Sequence, residues 1–554
     1  MTVAPGTASL HPTGHADGFS RAQLPPMAEW PVLLLDGAYA TPPRVNAAAE
    51  LLDKALAEGA GGRVALVVPN ADGGYDEVTY AALAAQVDAL AHVLVRDLGL
   101  VPGNRVLLRG FNGRWMAAAW LATLKAGMVA VTTMPMLRAT ELRVVMQRSA
   151  CNAALCDVRL MEELATAAAD CPALQAIRTW GGNDEARLEV LMEKHAAPFV
   201  ACATASDDVA LIAFTSGTTG VPKGCMHFHR DVMAMCRGFA DQVLGIGPGD
   251  RCIGTPPLAF TFGLGGLLCF PMAARASTVL LERATPDTLL DAIAATRATI
   301  TFTAPTFYRQ MALAAAQNPG ARRTQSLRAS VSAGEALPDA TRTLWRDATG
   351  IEMLDGIGAT ELIHIFIAAA GKDVRPGAIG RAVPGHEVAI LDDALRPVPN
   401  GTVGRLAVRG PTGCRYLADA RQTAYVQGGW NLTGDACTLD DDGYVHFKAR
   451  TDDLIISSGY NIGAPEVEAA VLTHESVLEC AVVGIPDVER GQAIKAFVVL
   501  KPGHTAVPEL ARAIQDHVKA TIAPYKYPRH VEFVAALPKT DTGKLQRFRL
   551  KEPS

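Results

Sequence analysis

The sequence predicts an α/β protein with a large N-terminal domain of mixed and parallel sheets with helices. A small antiparallel, barrel-like subdomain and a small, mobile α+β C-terminal domain complete the predicted fold. Three observations predict this class: strand-like and helix-like stretches alternate over most of the chain, alternating strands begin near Pro384, and a short polar segment at 451–453 precedes a compact α/β pattern. A chain of 554 residues is also too long for a single core.

These observations place the domain boundaries. We expect a mobile, disordered arm over 1–20, a large domain over 21–450 whose barrel-like part is about 384–450, a hinge at 451–453 and a small mobile domain over 454–554.

The elements follow from hydrophobic periodicity. Helical spacing of apolar residues predicts helices at Ala47–Glu58, Tyr80–Asp97, Glu466–Leu472 and Val507–Ile522. Short apolar runs predict strands at Arg105–Leu108, Met128–Thr132, Val209–Phe214, Thr278–Leu281, Ile300–Phe302 and Ala329–Ser332. Alternating patterns and turn residues predict further strands at Val388–Leu391, Arg405–Arg409, Cys480–Ile485 and Ala496–Leu500.

The composition excludes several classes. With 49% hydrophobic residues, 19% charged residues and a net charge of −5, the chain has the balance of a globular protein and no basic block for nucleic acid. No apolar run predicts membrane insertion, and the N-terminus lacks the pattern of a secretory signal. Eleven scattered cysteines without a CxxC pair argue against a zinc site and favour reduced thiols in a cytoplasmic protein.

The stretch Thr215–Gly224 (TSGTTGVPKG) is the most informative part of the chain. It follows a buried strand and combines glycines, hydroxyl groups and one lysine, a composition suited to polyphosphate. Pro222 before the lysine and Gly224 after it distinguish it from the ordinary P-loop. The alternative is a flexible surface turn. The candidate polyphosphate-binding residues here are Thr215, Ser216, Gly217, Thr218, Thr219, Gly220 and Lys223.

Two downstream stretches carry groups suited to nucleotide chemistry. In DGIGATE, Thr360 can donate a hydrogen bond to a phosphate and Glu361 can bind Mg²⁺ through a hard oxygen, although such a pair is more often a helix cap. In LTGDAC, Asp435 in a tight turn can accept both ribose hydroxyls, although TGD alone is usually only a turn.

Five motifs in order, from TSGTTGVPKG through SAGEALP, DGIGATE and LTGDAC to PKTDTGKLQR, resemble those of adenylate-forming enzymes, the acyl- and aryl-CoA synthetase superfamily. The resemblance implies catalytic roles for Lys544, Thr360 and Glu361. It implies a hinge at Asp452 and a ribose contact at Arg450, where Ala449 replaces the usual glycine. It further implies adenine contacts at Gly334, Glu335, Ala336, Asp355, Gly356, Ile357 and Gly358, and coenzyme A contacts at Ser458, Gly459 and Tyr460.

The acid-binding region is predicted from PPLAFTFGLGG at residues 256–266. From the pattern alone, these residues form either a flat slot for a ring or a buried strand with core aromatics. FTFGLGG and GIGATELIHIF resemble the benzoate-CoA ligase group, and MHFHRD resembles its 2-aminobenzoate-CoA ligase members. The proposed slot residues are Phe260, Thr261, Phe262, Gly263 and His364. The pair His227 and His229 has the HxH pattern of metal ligands, but no third histidine lies nearby in sequence.

The resemblance implies an AMP-forming acid–thiol ligase that uses ATP, coenzyme A and Mg²⁺, with 2-aminobenzoate as the first candidate substrate. Benzoate or a hydroxybenzoate, and then a medium- or long-chain fatty acid, are alternatives within this class. An adenylating enzyme that loads a carrier protein and a non-catalytic nucleotide sensor are alternatives outside it. Whether the protein is a monomer or a homodimer stays open.

Overall fold

The computed structural model describes residues 10–215, 222–317, 323–451, 454–457, 460–487, 490–522, 524–539 and 545–551. In chain order, the strands are β1 Val64–Pro69, β2 Tyr75–Thr79, β3 Arg105–Arg109, β4 Val129–Thr133, β5 Ala153–Asp157, β6 Ala176–Trp180, β7 Val209–Thr215, β8 Lys223–Phe228, β9 Arg251–Gly254, β10 Ser277–Val279, β11 Ile300–Thr303, β12 Ala329–Ala333, β13 Met353–Gly358, β14 Ile365–Ala368, β15 Arg381–Ala382, β16 Glu387–Leu391, β17 Gly404–Arg409, β18 Val426–Gln427, β19 Trp430–Leu439, β20 Val445–Arg450, β21 Leu454–Ser457, β22 Tyr460–Gly463, β23 Val477–Asp487, β24 Gly491–Leu500 and β25 His530–Phe533.

The α-helices are α1 Phe19–Ala22, α2 Lys54–Ala57, α3 Tyr80–His92, α4 Arg114–Lys125, α5 Ala139–Ser149, α6 Met161–Ala168, α7 Leu188–Met192, α8 His229–Met235, α9 Thr261–Leu264, α10 Phe270–Ala273, α11 Pro286–Thr296, α12 Pro305–Gln317, α13 Asp339–Thr349, α14 Gln422–Tyr425, α15 Ala464–Leu472, α16 Pro508–Thr521 and α17 Arg547–Lys551. Wider π-type turns extend several of them, at Ala49–Asp53, Val93–Asp97, Cys236–Val243 and Gly265–Cys269. No described helix is long and apolar enough to span a bilayer.

Two large sheets form the first part of the molecule. One has the order β6-β5-β3-β4-β7-β8 and is parallel except for the final pair, β7 and β8. The other has the order β15-β14-β13-β12-β11-β9-β10-β1-β2, with a parallel centre and antiparallel edges. Many of their central residues are fully buried, as expected for parallel strands covered on both faces. The parallel strands direct their carboxyl ends to one edge, where loops can gather functional groups.

Two smaller sheets follow. An antiparallel sheet has the order β16-β17-β19-β18, and β20 pairs with β19. The last sheet has the order β22-β21-β24-β23, and β25 pairs with β24 in the parallel direction. Helices α15 and α16 cover this sheet, and Val467, Ile494 and Ile514 lie in its core. The predicted fold class is confirmed.

The structure differs from the sequence prediction in two places. Residues 11–14, which fall within the predicted disordered arm, are hydrogen bonded: the His11 and Gly14 amides donate to Asp207 and Asp208 at 3.1 and 2.8 Å. In the segment 256–266, for which a buried strand was one alternative, residues 261–266 belong to a helical segment that continues to Ala273. Proximity in sequence gives no sign of the first contact, because its partners lie about 195 positions away.

Candidate active site

Two of the phosphate-binding candidates lie on neighbouring antiparallel strands. Thr215 ends β7 and Lys223 begins β8, and the two residues are directly paired across these strands. The hydroxyl oxygen of Thr215 is buried without a hydrogen-bond partner among the described residues. Ser216, Gly217, Thr218, Thr219 and Gly220 lie outside the described residues. The strand pairing therefore places Thr215 and Lys223 side by side at the two ends of the predicted phosphate loop.

Lys223 belongs to a buried cluster with Tyr416 and Glu361. Its Nζ donates to the Tyr416 hydroxyl at 2.8 Å and lies 3.4 Å from Glu361 Oε1, and the Tyr416 hydroxyl donates to the same Oε1 at 2.6 Å. Burial, followed by the Glu361 carboxylate, raises the pKa of Tyr416 well above its ordinary value, so the hydroxyl is a neutral donor. The cluster therefore holds Oε1 of Glu361, the predicted magnesium ligand, in one position.

The predicted adenine-contact segments meet at the carboxyl edge of the second large sheet. β12 ends at Ala333, which is paired with Gly356 in β13, so 334–336 follow the end of one strand and 356–358 are the last three residues of its neighbour. Gly334 has φ of +92°, a backbone conformation that favours glycine and turns the chain away from the sheet. The prediction that these two segments form one site is thus geometrically consistent.

Asp355 is a buried ionisable group at this edge. Its side chain is buried, and Oδ1 has no hydrogen-bond partner among the described residues. Burial raises the pKa of Asp355 to about 7, against a smaller opposing effect of Arg342. The carboxyl group is therefore poised between its neutral and charged forms near neutral pH.

Asp435 and Arg450 are directly paired between β19 and β20. Arg450 Nη1 donates to Asp435 Oδ1 at 2.8 Å and to the Thr433 carbonyl at 2.9 Å. Asp435 was expected in a tight turn and instead lies within a ten-residue strand, so that expectation is wrong. Gly434 causes the misleading turn signal: it has φ of +77°, and a Cβ there would lie 2.6 Å from the Arg450 guanidinium.

The slot residues are gathered by a helix start and by the loop before β14. Phe260 precedes α9, Phe262 lies on it, and the ring of Phe262 is 5.8 Å from the ring of His364. His364 also contacts Phe239 and Phe270, with ring centroids 5.6 and 4.5 Å away. Burial lowers the pKa of His364 to about 3, so the imidazole is neutral at physiological pH. The predicted aromatic character of this region is thus present around His364.

The predicted adenine-contact segment 356–358 lies against His364 of the predicted slot. Gly358 at the end of β13 is so close to His364 that a Cβ on this glycine would lie 2.9 Å from the His364 carbonyl carbon and oxygen. Thr261 is buried, and a Cβ on Gly263 would collide with the carbonyl of Pro257, which explains the small residue at that turn of the helix.

Several predicted residues lie outside the described part of the chain: Asp452, Ser458, Gly459 and Lys544. Tyr460 is described only as a strand residue, paired with Ser457 in the β21–β22 hairpin. The segment that carries Lys544 is flanked by Lys539 and Leu545, which form an isolated β-bridge. The roles of these residues remain predictions.

Sequence reasoning missed Tyr416 and Tyr425. Tyr425 packs edge-to-face on Tyr416, with ring centroids 5.8 Å apart, and its buried hydroxyl has no hydrogen-bond partner among the described residues. Burial, with Glu361 next, raises the pKa of Tyr425 well above its ordinary value. Neither tyrosine lies in a glycine-rich or charged motif, so no local pattern identifies it.

Comparison with known proteins identifies the family. Residues 53–416 match the model of the AMP-binding enzyme family, and residues 466–544 match the AMP-binding enzyme C-terminal domain. The chain belongs to the AMP-binding enzyme family, and the predicted resemblance to adenylate-forming enzymes is confirmed. At this level the prediction of an enzyme of the AMP-forming acid–thiol ligase class is also confirmed.

Among the members of this family, the chain is similar to ligases whose names specify aromatic acids. The chain is 36% identical to the benzoate–CoA ligase of Thauera aromatica over 92% of this chain and 96% of the relative. The solved structure of the anthranilate CoA ligase AuaEII in complex with anthranoyl-AMP is 33% identical, has a TM-score of 0.87, and matches over 93% of this chain and 98% of that chain. A benzoate CoA ligase from Burkholderia xenovorans LB400 is 32% identical with a TM-score of 0.82, covering 92% of this chain and all of that one.

Proposed function

We propose that this enzyme joins an aromatic carboxylic acid to coenzyme A at the expense of ATP, through an acyl-adenylate, and that 2-aminobenzoate is its substrate. The observation that carries the proposal is the close approach of Gly358, at the end of a nucleotide-edge strand, to His364 in the aromatic cluster. An acid held against His364 would have its carboxylate near the nucleotide edge. The curated relatives and solved neighbours that act on benzoate and anthranilate support the aromatic class.

The proposed reaction replaces the poor leaving group of a carboxylate with a good one. A free carboxylate would have to expel oxide or hydroxide, whereas the mixed anhydride with AMP expels AMP when a thiol attacks. In the first step, a carboxylate oxygen bonds to the α-phosphorus of ATP and the bond to pyrophosphate breaks. In the second, the sulfur of coenzyme A bonds to the acyl carbon and AMP leaves. Because both first-step reactants are anions, the site must neutralise charge and align the groups.

Residues on both domains are proposed to supply this neutralisation and alignment. Lys223 and Thr360 are the groups proposed to meet phosphate oxygens, and Lys544 is proposed to lie between the substrate carboxylate and the α-phosphate. Asp435 and Arg450 are proposed to hold the ribose. A swing of the small domain about Asp452 is proposed to withdraw Lys544 and bring Ser458–Tyr460 to the coenzyme A channel.

The donor set fits Mg²⁺. Among the described residues, the hydrogen bonds to the Glu361 side chain all end on Oε1, which leaves Oε2 for a cation. No group of three or more acidic, histidine or cysteine side chains within the described ranges could hold a metal. One carboxylate is enough for a magnesium ion that keeps waters and binds substrate phosphates. When bound, the ion would supply charge neutralisation at those phosphates.

His364 gives a physical reason to favour an amino group on the ring. Its Nε2 lies 3.4 Å from the Phe262 carbonyl, an oxygen that can only accept, so Nε2 carries the proton and Nδ1 is an acceptor. Nδ1 is buried without a partner among the described residues, and the Cδ2–Nε2 edge faces Gly265. We propose that Nδ1 accepts an N–H from the ortho amine, because burying an unpaired acceptor is costly.

The test is a coenzyme A-dependent AMP-release screen across benzoate, 2-aminobenzoate, hydroxybenzoates and octanoate. We expect 2-aminobenzoate to have the highest kcat/KM. His364→Leu keeps an apolar side chain but removes the acceptor. It should lower kcat/KM for 2-aminobenzoate by about tenfold and change that for benzoate much less. A preference for octanoate would contradict the aromatic slot, and an equal loss for both ring acids would contradict the amine contact.

Benzoate is the second candidate, because the Thauera aromatica relative is a benzoate–CoA ligase. The same screen separates the two: an enzyme built for benzoate should lose activity when an ortho substituent is added. Comparing free coenzyme A with a phosphopantetheinyl carrier protein as acceptor tests the carrier-loading alternative. Pyrophosphate release distinguishes an enzyme from a nucleotide sensor.

A further inference from the structure

One face of β8 reaches both residues of the Thr360–Glu361 pair. Residues 223, 225 and 227 point to the same side of this strand because side chains alternate along a β-strand. Lys223 reaches Glu361 Oε1 at 3.4 Å, and His227 Nε2 donates to the carbonyl oxygen of Thr360 at 2.7 Å. His227 is fully buried. The strand that follows the phosphate loop is therefore bonded to the neighbouring turn at two points.

The turn that carries Thr360 and Glu361 is strained. Ile363, immediately after the 3₁₀ turn Thr360–Leu362, has φ of +68°, a conformation that a β-branched residue rarely adopts. Such a residue persists only when its surroundings over-determine it. Two side-chain hydrogen bonds do so here: His227 to the Thr360 carbonyl and the Thr412 hydroxyl to the Leu362 carbonyl at 2.9 Å.

His227 packs beside a buried ion pair. Its Nδ1 lies 3.8 Å from Asp231 Oδ2, and that oxygen accepts hydrogen bonds from the Phe228 amide and the Arg415 guanidinium. Asp231 and Arg415 are completely buried. Although burial raises it, Arg415 and the other partners lower the pKa of Asp231 overall, so the carboxylate stays ionised. A paired buried charge of this kind cannot shift without a large penalty, so the imidazole packs against a rigid neighbour.

We propose that His227 is a positioning residue for adenylation: by holding the Thr360 carbonyl, it sets the strained turn so that Thr360 and Glu361 face the phosphates. The proposal rests on the proposed function for the role of Thr360 and Glu361. His227 touches no substrate in this role, and its ring nitrogen facing the turn is used by a backbone oxygen rather than a metal. The first histidine of the HxH pattern is therefore explained by its hydrogen bond to the Thr360 carbonyl and not by metal binding.

The experiment compares His227→Leu, which removes the donor, with His227→Gln, which keeps an N–H of similar reach. The matched control is His229→Leu, because His229 is equally buried in the same motif but accepts from the Ala47 amide at 3.1 Å and does not contact the turn. Each variant is assayed for ATP–pyrophosphate exchange and for thiolysis of a supplied acyl-adenylate. Amide hydrogen exchange of Ile363 is measured without ligands, since its N–H also donates to the Thr360 carbonyl.

We expect His227→Leu to lower the exchange kcat by about tenfold to a hundredfold, with thiolysis within about threefold of wild type and faster amide exchange at Ile363. His227→Gln should restore most of the adenylation rate, and His229→Leu should leave the ratio of the two half-reactions unchanged. The proposal is overturned if Gln is no better than Leu, or if His227→Leu lowers both half-reactions equally. If the wild-type protein activates no acid, the proposed function fails by itself, and unchanged exchange at Ile363 would then overturn the positioning role.

Discussion

The substitution Asp355→Asn tests whether the raised pKa of this buried carboxyl group makes the stability of the protein depend on pH. The substitution keeps the size and the acceptor oxygen of the side chain but cannot ionise. Burial raises the pKa of Asp355 to about 7 from an ordinary value of 3.8, so ionisation opposes folding above pH 4. At about 1.36 kcal/mol per unit, the contribution of this carboxyl group to the free energy of unfolding falls by about 4 kcal/mol as pH rises from 4 to 8.

The sign follows from the direction of the shift. Because the pKa of the folded state is raised, the stabilising contribution is complete below pH 3.8 and is lost as pH rises through about 7. Asp355→Asn removes this loss, so the variant should gain stability over wild type between pH 5 and 8. For 554 residues with an unfolding entropy of about 2.1 cal/mol/K each, about 4 kcal/mol corresponds to a Tm difference of roughly 3–4 °C.

The assay is scanning calorimetry of both proteins at one scan rate from pH 5 to 8. Asp250→Asn is the matched control, because Arg328 binds the Asp250 carboxylate at 2.7 and 2.8 Å and its pKa is lowered despite burial. That variant should lose stability over the same range. If the Tm difference between Asp355→Asn and wild type does not grow with pH, the burial argument is refuted, and with it the picture of a poised carboxyl group.

Three further substitutions test the roles of individual groups. Lys544→Ala should abolish acyl-adenylate formation and spare thiolysis of a supplied adenylate; equal loss of both half-reactions would contradict domain alternation. Tyr416→Phe removes the 2.6 Å hydrogen bond to Glu361 and should lower ATP–pyrophosphate exchange by about tenfold or more, most clearly at low Mg²⁺, whereas unchanged magnesium dependence would contradict the orienting role. Tyr425→Phe removes a buried hydroxyl without a partner among the described residues, so Tm should hold or rise; a rise in the KM for ATP would show that the hydroxyl meets the nucleotide.

The parallel strands were predictable because strands that are buried on both faces appear in the sequence as short, continuous apolar runs. The apolar run before the phosphate loop became β7, whose first five residues are buried, and Ala329–Ser332 became most of β12. The position in the fold of residues that follow such strands can then be predicted without further information. This explains why Thr215 ends β7, Gly334 directly follows β12 and Gly358 ends β13, positions that suit the predicted phosphate and adenine contacts.

The remaining part of the site depends on contacts between distant parts of the chain. Lys223 and Tyr416 are 193 positions apart, and His227 and Thr360 are 133 apart, so nothing in either local sequence encodes the pairing. The helix at residues 261–273 was ambiguous for a different reason. Its glycines are poor helix formers in isolation, and close approach of Phe302 and His364 to Gly266 and Gly265 selects them.

The arrangement of the sheets couples Lys223, Tyr416 and Glu361 through shared hydrogen bonds. Lys223 comes from the first large sheet, Glu361 from the turn after β13 in the second, and Tyr416 from the segment leading to β18 and β19, yet the three side chains share hydrogen bonds within 3.4 Å. A group that binds Glu361 must therefore alter the charge that Lys223 and Tyr416 experience. Phosphate binding at Lys223 should release its hold on Glu361 Oε1 and leave more negative charge on the carboxylate for a cation at Oε2. Nucleotide and magnesium should therefore bind with positive cooperativity, as reciprocal linkage requires.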